Sequence, residues 1–256
     1  MELSDSSALV TGAASGLGAA TAHALAKRGV RVLALDLPAQ IKKAEADSAE
    51  SLPGIEYIAA DVTDEAQVAA ALARVTTASP LRLVVNCAGI APAQRLLSSK
   101  GVHDLATFRR TLEVNVVGTF NVLRLAAEAM AANVPLIDGA RGLIVNTASV
   151  AAYEGQIGQT AYAASKGAIV GLTLPAARDL ARYGIRVNTI APGIVATPLL
   201  TNLGEKVVDS LAATVPFPAR LARPDEFAQL VLMLAEHDYL NGETIRMDGA
   251  LRMAPR

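Results

Sequence analysis

The stretch SALVTGAASGLG, residues 7–18, decides the fold. A short, nearly continuous apolar run leads into a glycine-rich turn, and the turn opens an Ala-rich helical segment near 16–28. A strand buried on both faces reads as such a run, because it has no solvent side to mark with polar residues. Gly12 permits the tight turn, Gly16 lets the backbone approach a phosphate, and Gly18 lets the helix pack close to the strand. With Ser15 and Leu17 between them, the exposed amides of the helix start are placed to hold a pyrophosphate. The spacing is G-x-x-x-G-x-G, so the usual dinucleotide fingerprint G-x-G-x-x-G is approximated rather than copied.

The same alternation continues along the chain. Further strands are expected near 30–35, 55–59, 81–86, 142–148, 185–190 and 244–247. Helices are expected near 64–77, 104–132, 160–182, 204–213 and 224–236, with 38–53 a solvated helix and loop. Strand–helix alternation with buried-looking strands predicts an α/β protein: a three-layer, Rossmann-type, doubly wound fold around a central parallel sheet. No composition break or flexible linker divides it, so residues 1–256 read as one domain. The longer irregular segments, 90–103 and 193–220, fall at strand ends, where binding sites gather.

Composition narrows the partners. The 256 residues carry a formal net charge of -1, with 52% hydrophobic and 18% charged residues. A nucleic acid or anionic membrane partner normally demands a basic field, which is absent here. The lone cysteine, Cys87, excludes an internal disulfide or thiolate cluster, and His23, His103 and His237 have no metal-site spacing. No secretory signal and no membrane-length apolar stretch is visible, so a soluble cytoplasmic protein without metal is expected.

Asp36 ends the second apolar run, where an acid accepts hydrogen bonds from adenosine ribose hydroxyls. The same carboxylate repels a 2′-phosphate, and Leu37 and Pro38 follow it rather than a basic pair, which favours NAD over NADP. Asp61 and Val62, after another short strand, either orient the adenine or form an Asx-type turn. Asn86, Cys87, Ala88 and Gly89 end the fourth strand with small residues that leave room for a cofactor. Cys87 reads as a small buried filler, since no histidine lies nearby in sequence to activate it.

Tyr162 and Lys166 stand four apart in AYAASKGAI, with Ser149 thirteen residues upstream of the Tyr in VNTASV. At this spacing on a helix the two side chains share a face. A phenol is a poor base at neutral pH, and a fixed ammonium beside it favours the phenolate. The Tyr162 pKa is therefore expected to fall, through Lys166 and the positive ring of a bound nicotinamide together. A strand-end Ser149 hydroxyl can hold a substrate oxygen as charge develops on it. The trio predicts proton transfer at an alcohol or ketone.

TGAASGLG, Asp36, Asp61, NCAG, Asn115, Ser149 and YAASK together resemble the short-chain dehydrogenase/reductase family along nearly the whole chain. Three segments are similar to the 3-hydroxyacyl-CoA dehydrogenase type-2 group, also described as 17β-hydroxysteroid dehydrogenase type 10. These are NTASVAAYEGQIGQTAYAASKGAIVGLTLPAARDLA, APGIVATPLL and NGETIRMDGALRMAP. The resemblance implies NAD-dependent interconversion of short or branched (S)-3-hydroxyacyl-CoA and 3-oxoacyl-CoA esters, commonly by a homotetramer. It implies that Tyr162 is the general base or acid and that Lys166 also holds the nicotinamide ribose. Asn115 then supports a water and proton path to Lys166. Pro192, Gly193, Val195 and Thr197 match the segment that closes over the nicotinamide carboxamide, although the close group carries an aromatic where Val195 stands. Gln156 and Gln159 are expected in the substrate pocket. Leu199, Leu200, Leu203 and Leu211, with Phe217, form either an apolar lid within 193–220 or a fixed helix packed on the core. A steroid or small-alcohol dehydrogenase, a 3-oxoacyl-carrier-protein reductase and a non-catalytic NAD-binding scaffold stay open as alternatives.

Overall fold

The computed structural model describes residues 3, 5–47, 53–76, 79–201 and 204–255. The main strands are β1 (Ser7–Thr11), β2 (Arg31–Asp36), β3 (Ile55–Ala59), β4 (Leu81–Asn86), β7 (Gly142–Thr147), β8 (Ile185–Pro192) and β9 (Thr244–Met247). The short β5 (Leu97–Ser98) and β6 (Gly101–Val102) form a separate antiparallel pair. Helices are α1 (Gly16–Ala26), α2 (Pro38–Asp47), α3 (Glu65–Thr76), α4 (Leu105–Leu112), α5 (Thr119–Ala131), α6 (Thr160–Ala181), α7 (Pro198–Thr201), α8 (Glu205–Ala212) and α9 (Pro224–Glu236).

The seven main strands pair in parallel in the order β3-β2-β1-β4-β7-β8-β9. Side chains of a strand alternate between faces, and the core divides accordingly. Leu9, Leu33, Val84 and Ile144 pack under α3, α5 and α6, with Val68, Val122, Met130 and Ala177. Ala8, Val10, Leu83 and Val145 face the other way, against Ala22 and Leu25 of α1 and Phe227, Val231 and Leu234 of α9. Helices on both faces of a parallel sheet give the three-layer, doubly wound Rossmann-type fold.

The polar residues inside these strands are used at the sheet's far end. Arg82 donates to the Val134 and Arg141 carbonyls at 2.7 and 3.0 Å, and Arg186 to the Leu234 and Leu240 carbonyls at 2.9 and 2.8 Å. Leu234 lies in the last turn of α9, where a cation complements the helix dipole.

Two expectations change in detail. The helix expected over 104–132 is α4 and α5 joined by a π-helical turn, Glu113–Gly118, which contains Asn115. The segment 90–103, expected to be irregular, carries the β5–β6 hairpin. Among the described residues no helix is long and apolar enough to cross a membrane, and no group of His, Cys, Asp and Glu could hold a metal ion.

Candidate active site

The sheet order reverses direction between β1 and β4, and a cleft of about 710 Å³ opens at the C-terminal ends of the strands there. The turn after β1 forms its floor. Gly12 has φ +63, and a Cβ on it would lie 2.8 Å from the Ala88 nitrogen, so the turn presses directly on the end of β4. A Cβ on Gly18 would collide with the Gly12 carbonyl oxygen, which is the close helix–strand approach read from the sequence. Thr11 Oγ1 accepts hydrogen bonds from the Cys87 and Ala88 amides, both at 3.2 Å, and fixes the other rim.

Ser15 is extended at the start of α1 and makes no side-chain cap, and no acidic residue occupies the first turn. A helix start without a capping side chain leaves amide donors for an outside acceptor, and its dipole favours an anion there. Ser15, Gly16, Leu17 and Gly18 all line the cleft. The donor set thus fits the pyrophosphate of a dinucleotide. Next to it Asp36 Oδ2 accepts from the Ala14 amide at 2.9 Å and Oδ1 from the Leu37 amide at 2.8 Å. Each oxygen keeps acceptor capacity for a hydroxyl, while the negative charge opposes an added phosphate.

Asp61 forms the Asx-type turn and also faces the cleft. Its Oδ1 accepts from the Thr63 amide at 2.9 Å and the Thr63 hydroxyl at 2.7 Å, an Asx-type turn, and it also lines the cleft beside Val62. Burial works against its charge, but the Thr63 bonds and Arg110, 3.7 Å away, hold its carboxyl below the usual range. Arg110 lines the cleft too. Nothing in the sequence singled it out, because it belongs to no motif and reaches the site only through the placement of α4.

The chemical end of the cleft is drier. Ser149 caps a short 3₁₀ turn over Val150–Ala152, its Oγ accepting from the Ala151 amide at 3.1 Å. The Ser149 hydroxyl and the Tyr162 phenol both face the cleft, and Ser149 acts to lower the Tyr162 pKa. Lys166 Nζ donates to the Thr147 carbonyl at 2.8 Å and lies 5.7 Å from the centre of the Tyr162 ring. Burial pushes the Lys166 ammonium down to about 8. Tyr162 differs from expectation: burial raises its pKa, and Ser149 only partly opposes this. The sequence reading counted the ammonium but not the removal of water from both groups, which disfavours phenolate and ammonium alike.

Cys87, Ala88 and Gly89 line the cleft, whereas Asn86 is buried behind it and donates to Asn146 Oδ1 at 2.9 Å. Burial drives the Cys87 thiol up to about 11, so it is a neutral thiol at physiological pH. Asn115 is fully buried and does not reach the cleft wall. Its Oδ1 accepts from the Ile90 amide at 2.8 Å, and its Nδ2 donates to the Ile90 carbonyl and to Ser165 Oγ, both at 2.9 Å. It nevertheless stands next to the Lys: a Cβ on Gly89 would lie 3.1 Å from Asn115 Oδ1 and 3.7 Å from Lys166 Nζ.

Pro192, Gly193, Val195, Thr197 and Leu200 close the cleft opposite Tyr162. Phe217 is 81% exposed and lies apart from the cleft lining, the side chain of Leu199 and all of Leu203 lie outside the described residues, and α8 carries Leu211. Gln156 and Gln159 also lie outside the cleft lining. Gln159 Oε1 accepts from the Gln156 amide at 3.0 Å, and Gln156 Nε2 donates to the Ala254 carbonyl at 3.1 Å, so both side chains are spent on holding the loop before Tyr162.

A glycine-rich βα turn, a parallel sheet with its cleft at the reversal point and a Ser–Tyr–Lys set with a buried Lys define a nucleotide-dependent oxidoreductase. The chain belongs to the short-chain dehydrogenase family, whose model matches residues 6–208. It is 53% identical to the human (Homo sapiens) 3-hydroxyacyl-CoA dehydrogenase type-2 over 251 residues, 97% of this chain and 95% of the relative. It is likewise 53% identical to the Drosophila melanogaster protein of that name over 250 residues, 96% of this chain and 97% of the relative. The crystal structure of 3-hydroxyacyl-CoA dehydrogenase type-2 from Mycobacterium avium superimposes with a TM-score of 0.90 at 44% identity, covering 98% of each chain.

Proposed function

We propose that this chain is an NAD-dependent dehydrogenase interconverting (S)-3-hydroxyacyl-CoA and 3-oxoacyl-CoA esters with short or branched acyl groups. The observation that carries the reading is the meeting of Ser149, Tyr162 and Lys166 with Gly12–Gly18 and Asp36 in a single cleft. The relatives at 53% identity support the acyl-CoA class.

Ser149 holds the substrate oxygen, and Tyr162 takes the hydroxyl proton in oxidation or returns it in reduction. Lys166 anchors the nicotinamide ribose, its ammonium oriented by the Thr147 carbonyl. Asn115 fixes the Ile90 backbone and Ser165 around that Lys and supports its proton path. Asp36 would hold the adenosine ribose, Asp61 and Val62 the adenine, and Cys87–Gly89 with Pro192–Thr197 the nicotinamide end. Bound NAD supplies the hydride acceptor and, when oxidised, a positive charge that favours the Tyr162 phenolate.

The deciding assay compares kcat/KM for both enantiomers of 3-hydroxybutyryl-CoA, a 2-methyl analogue and 17β-estradiol, each with NAD and NADP. The (S)-acyl-CoA with NAD should lead. Efficient steroid turnover beside undetectable acyl-CoA turnover overturns the substrate assignment. Tyr162→Phe should lower kcat by about 10³-fold or more while the Kd for NADH stays within a few-fold; near-normal turnover refutes the proton-transfer role.

The same reading holds residues 1–256 as one catalytic domain with a substrate lid over about 193–220. It makes the protein a cytoplasmic homotetramer. Light scattering that returns a stable monomer at micromolar concentration removes the tetramer, and cell fractionation tests the compartment.

A further inference from the structure

A charged cluster behind the reaction chamber joins its two walls. Arg246 on β9 donates from Nη1 and Nη2 to the two Glu154 oxygens at 2.8 and 2.9 Å, and from Nε to Asp248 Oδ2 at 2.7 Å. Its Nη2 also donates to the Leu251 carbonyl at 3.1 Å, and its guanidinium lies over the Tyr153 ring at 5.1 Å. Arg252 adds a bond to Asp248 Oδ2 at 3.0 Å. The side chains are largely covered, with 22% of Arg246, 24% of Glu154 and 8% of Asp248 exposed. A two-pronged guanidinium–carboxylate pair fixes angle as well as distance.

Neither carboxylate lines the cleft itself, but each adjoins a segment that does. Glu154 follows the 3₁₀ turn that Ser149 caps, and its amide donates to the Val150 carbonyl at 3.0 Å. The next residue, Gly155, has no room for a side chain: a Cβ there would lie 2.8 Å from the Ala163 Cβ, beside Tyr162 on α6. The segment that carries Ser149 is therefore seated on the helix that carries Tyr162, and Arg246 grips it at that seat. On the other side, Asp248 lies under the loop after β8. The Gly193 amide donates to the Met247 carbonyl at 2.9 Å, and a Cβ on Gly193 would sit 3.0 Å from the Asp248 Cα. The tail completes the arrangement, since the Ile157 amide donates to the Pro255 carbonyl at 3.0 Å.

We infer that Arg246 is a positioning residue: through Glu154 and Asp248 it sets the Ser149–Tyr162 geometry and ties it to the loop that faces them. It touches neither substrate nor cofactor. In kinetic terms the inference rests on the dehydrogenase reading above.

The test uses the full chain with Arg246→Gln, Arg246→Lys and the shape-preserving Glu154→Gln. Phe227→Ala, a cavity in the core on the α1/α9 side of the sheet, serves as a destabilised control. Hydrogen exchange of the protein without substrate should speed up at amides of residues 149–158 in Arg246→Gln and Glu154→Gln. The β1 and β4 amides should be unchanged. With NAD and 3-hydroxybutyryl-CoA, kcat should fall by up to about 10²-fold, the loss expected when reacting groups shift by about an ångström. The Kd for NADH should stay within a few-fold, and a deuterium label on the carbinol carbon should slow the variants more than the parent. Arg246→Lys, which keeps the charge without the fork, should fall between. The control should lose thermal stability with kcat kept.

Unchanged or uniformly raised exchange, or kcat within twofold of the parent in both Arg246→Gln and Glu154→Gln, overturns the inference. If Arg246→Gln does not fold, Glu154→Gln decides by the same readings. If the parent turns over no acyl-CoA, the substrate assignment fails while the exchange experiment still decides the clamp.

Discussion

Lys166 should weaken the protein it serves, and replacing it by methionine exposes the amount. The ammonium is buried and its pKa falls from 10.5 in the unfolded chain to about 8 in the fold. A depressed Lys pKa means that the unfolded chain binds the proton more tightly. The folded state is therefore penalised most below about pH 8, and stability rises as pH climbs from there towards 10.5, where both states are neutral. The full difference, about 2.5 pKa units, is about 3 kcal/mol. Between about pH 7 and pH 10 the proton linkage alone amounts to about 2–3 kcal/mol. Lys166→Met keeps the length and loses the charge, so it lacks this dependence. It also strips the Thr147 carbonyl of its 2.8 Å partner, which costs about 1–3 kcal/mol at every pH. Urea unfolding of both proteins without NAD, at several values across that range, isolates the term, because other titrations cancel in the difference. The parent should gain about 2–3 kcal/mol on the variant as pH rises. Parallel stability curves would refute a depressed Lys166 and, with it, the dry environment assigned to the chemical end of the cleft.

Asp36→Ala should lower kcat/KM with NAD by about tenfold or more, since charged hydrogen bonds to ribose are worth about 1.5–3 kcal/mol, and should raise the relative use of NADP; steady-state assays with both cofactors check this. Asn115→Ala should destabilise the fold by about 1–2 kcal/mol in urea, because the Ile90 amide and carbonyl lose a partner that is itself fully buried. An Asn115→Ala protein as stable as the parent would deny the amide its holding role.

Much of the fold was legible because buried parallel strands advertise themselves: short apolar runs such as SALVT at 7–11, and those at 55–59 and 81–86, have the bounds read from the sequence. The cofactor floor was legible for the same local reason, since a glycine turn and the helix it opens are contiguous. What escaped depends on partners distant in sequence. The π-helical turn that carries Asn115 has no composition signal, although Asn115 itself was singled out, and Arg110 reaches the cleft only once α4 is placed. Gln156 and Gln159 were read as pocket residues from their match to the close group; the bonds they make here, to each other and to the Ala254 carbonyl, join residues the sequence does not show together. The direction of the Tyr162 pKa was missed because burial is a property of the packed molecule and not of the i, i+4 spacing.

The reversal of strand order between β1 and β4 also separates two inheritable traits. On the β1 side of the cleft lie Asp36 and Asp61, proposed above for the adenosine half; on the β4 side lie Ser149, Tyr162, Thr197 and the loop after β8. The seam coincides with a division in the chain, before and after about residue 80. Descendants of such a chain can exchange one dinucleotide for another without disturbing the alcohol they oxidise. They can equally change the alcohol while leaving the coenzyme untouched, so a single scaffold can diversify along two independent axes.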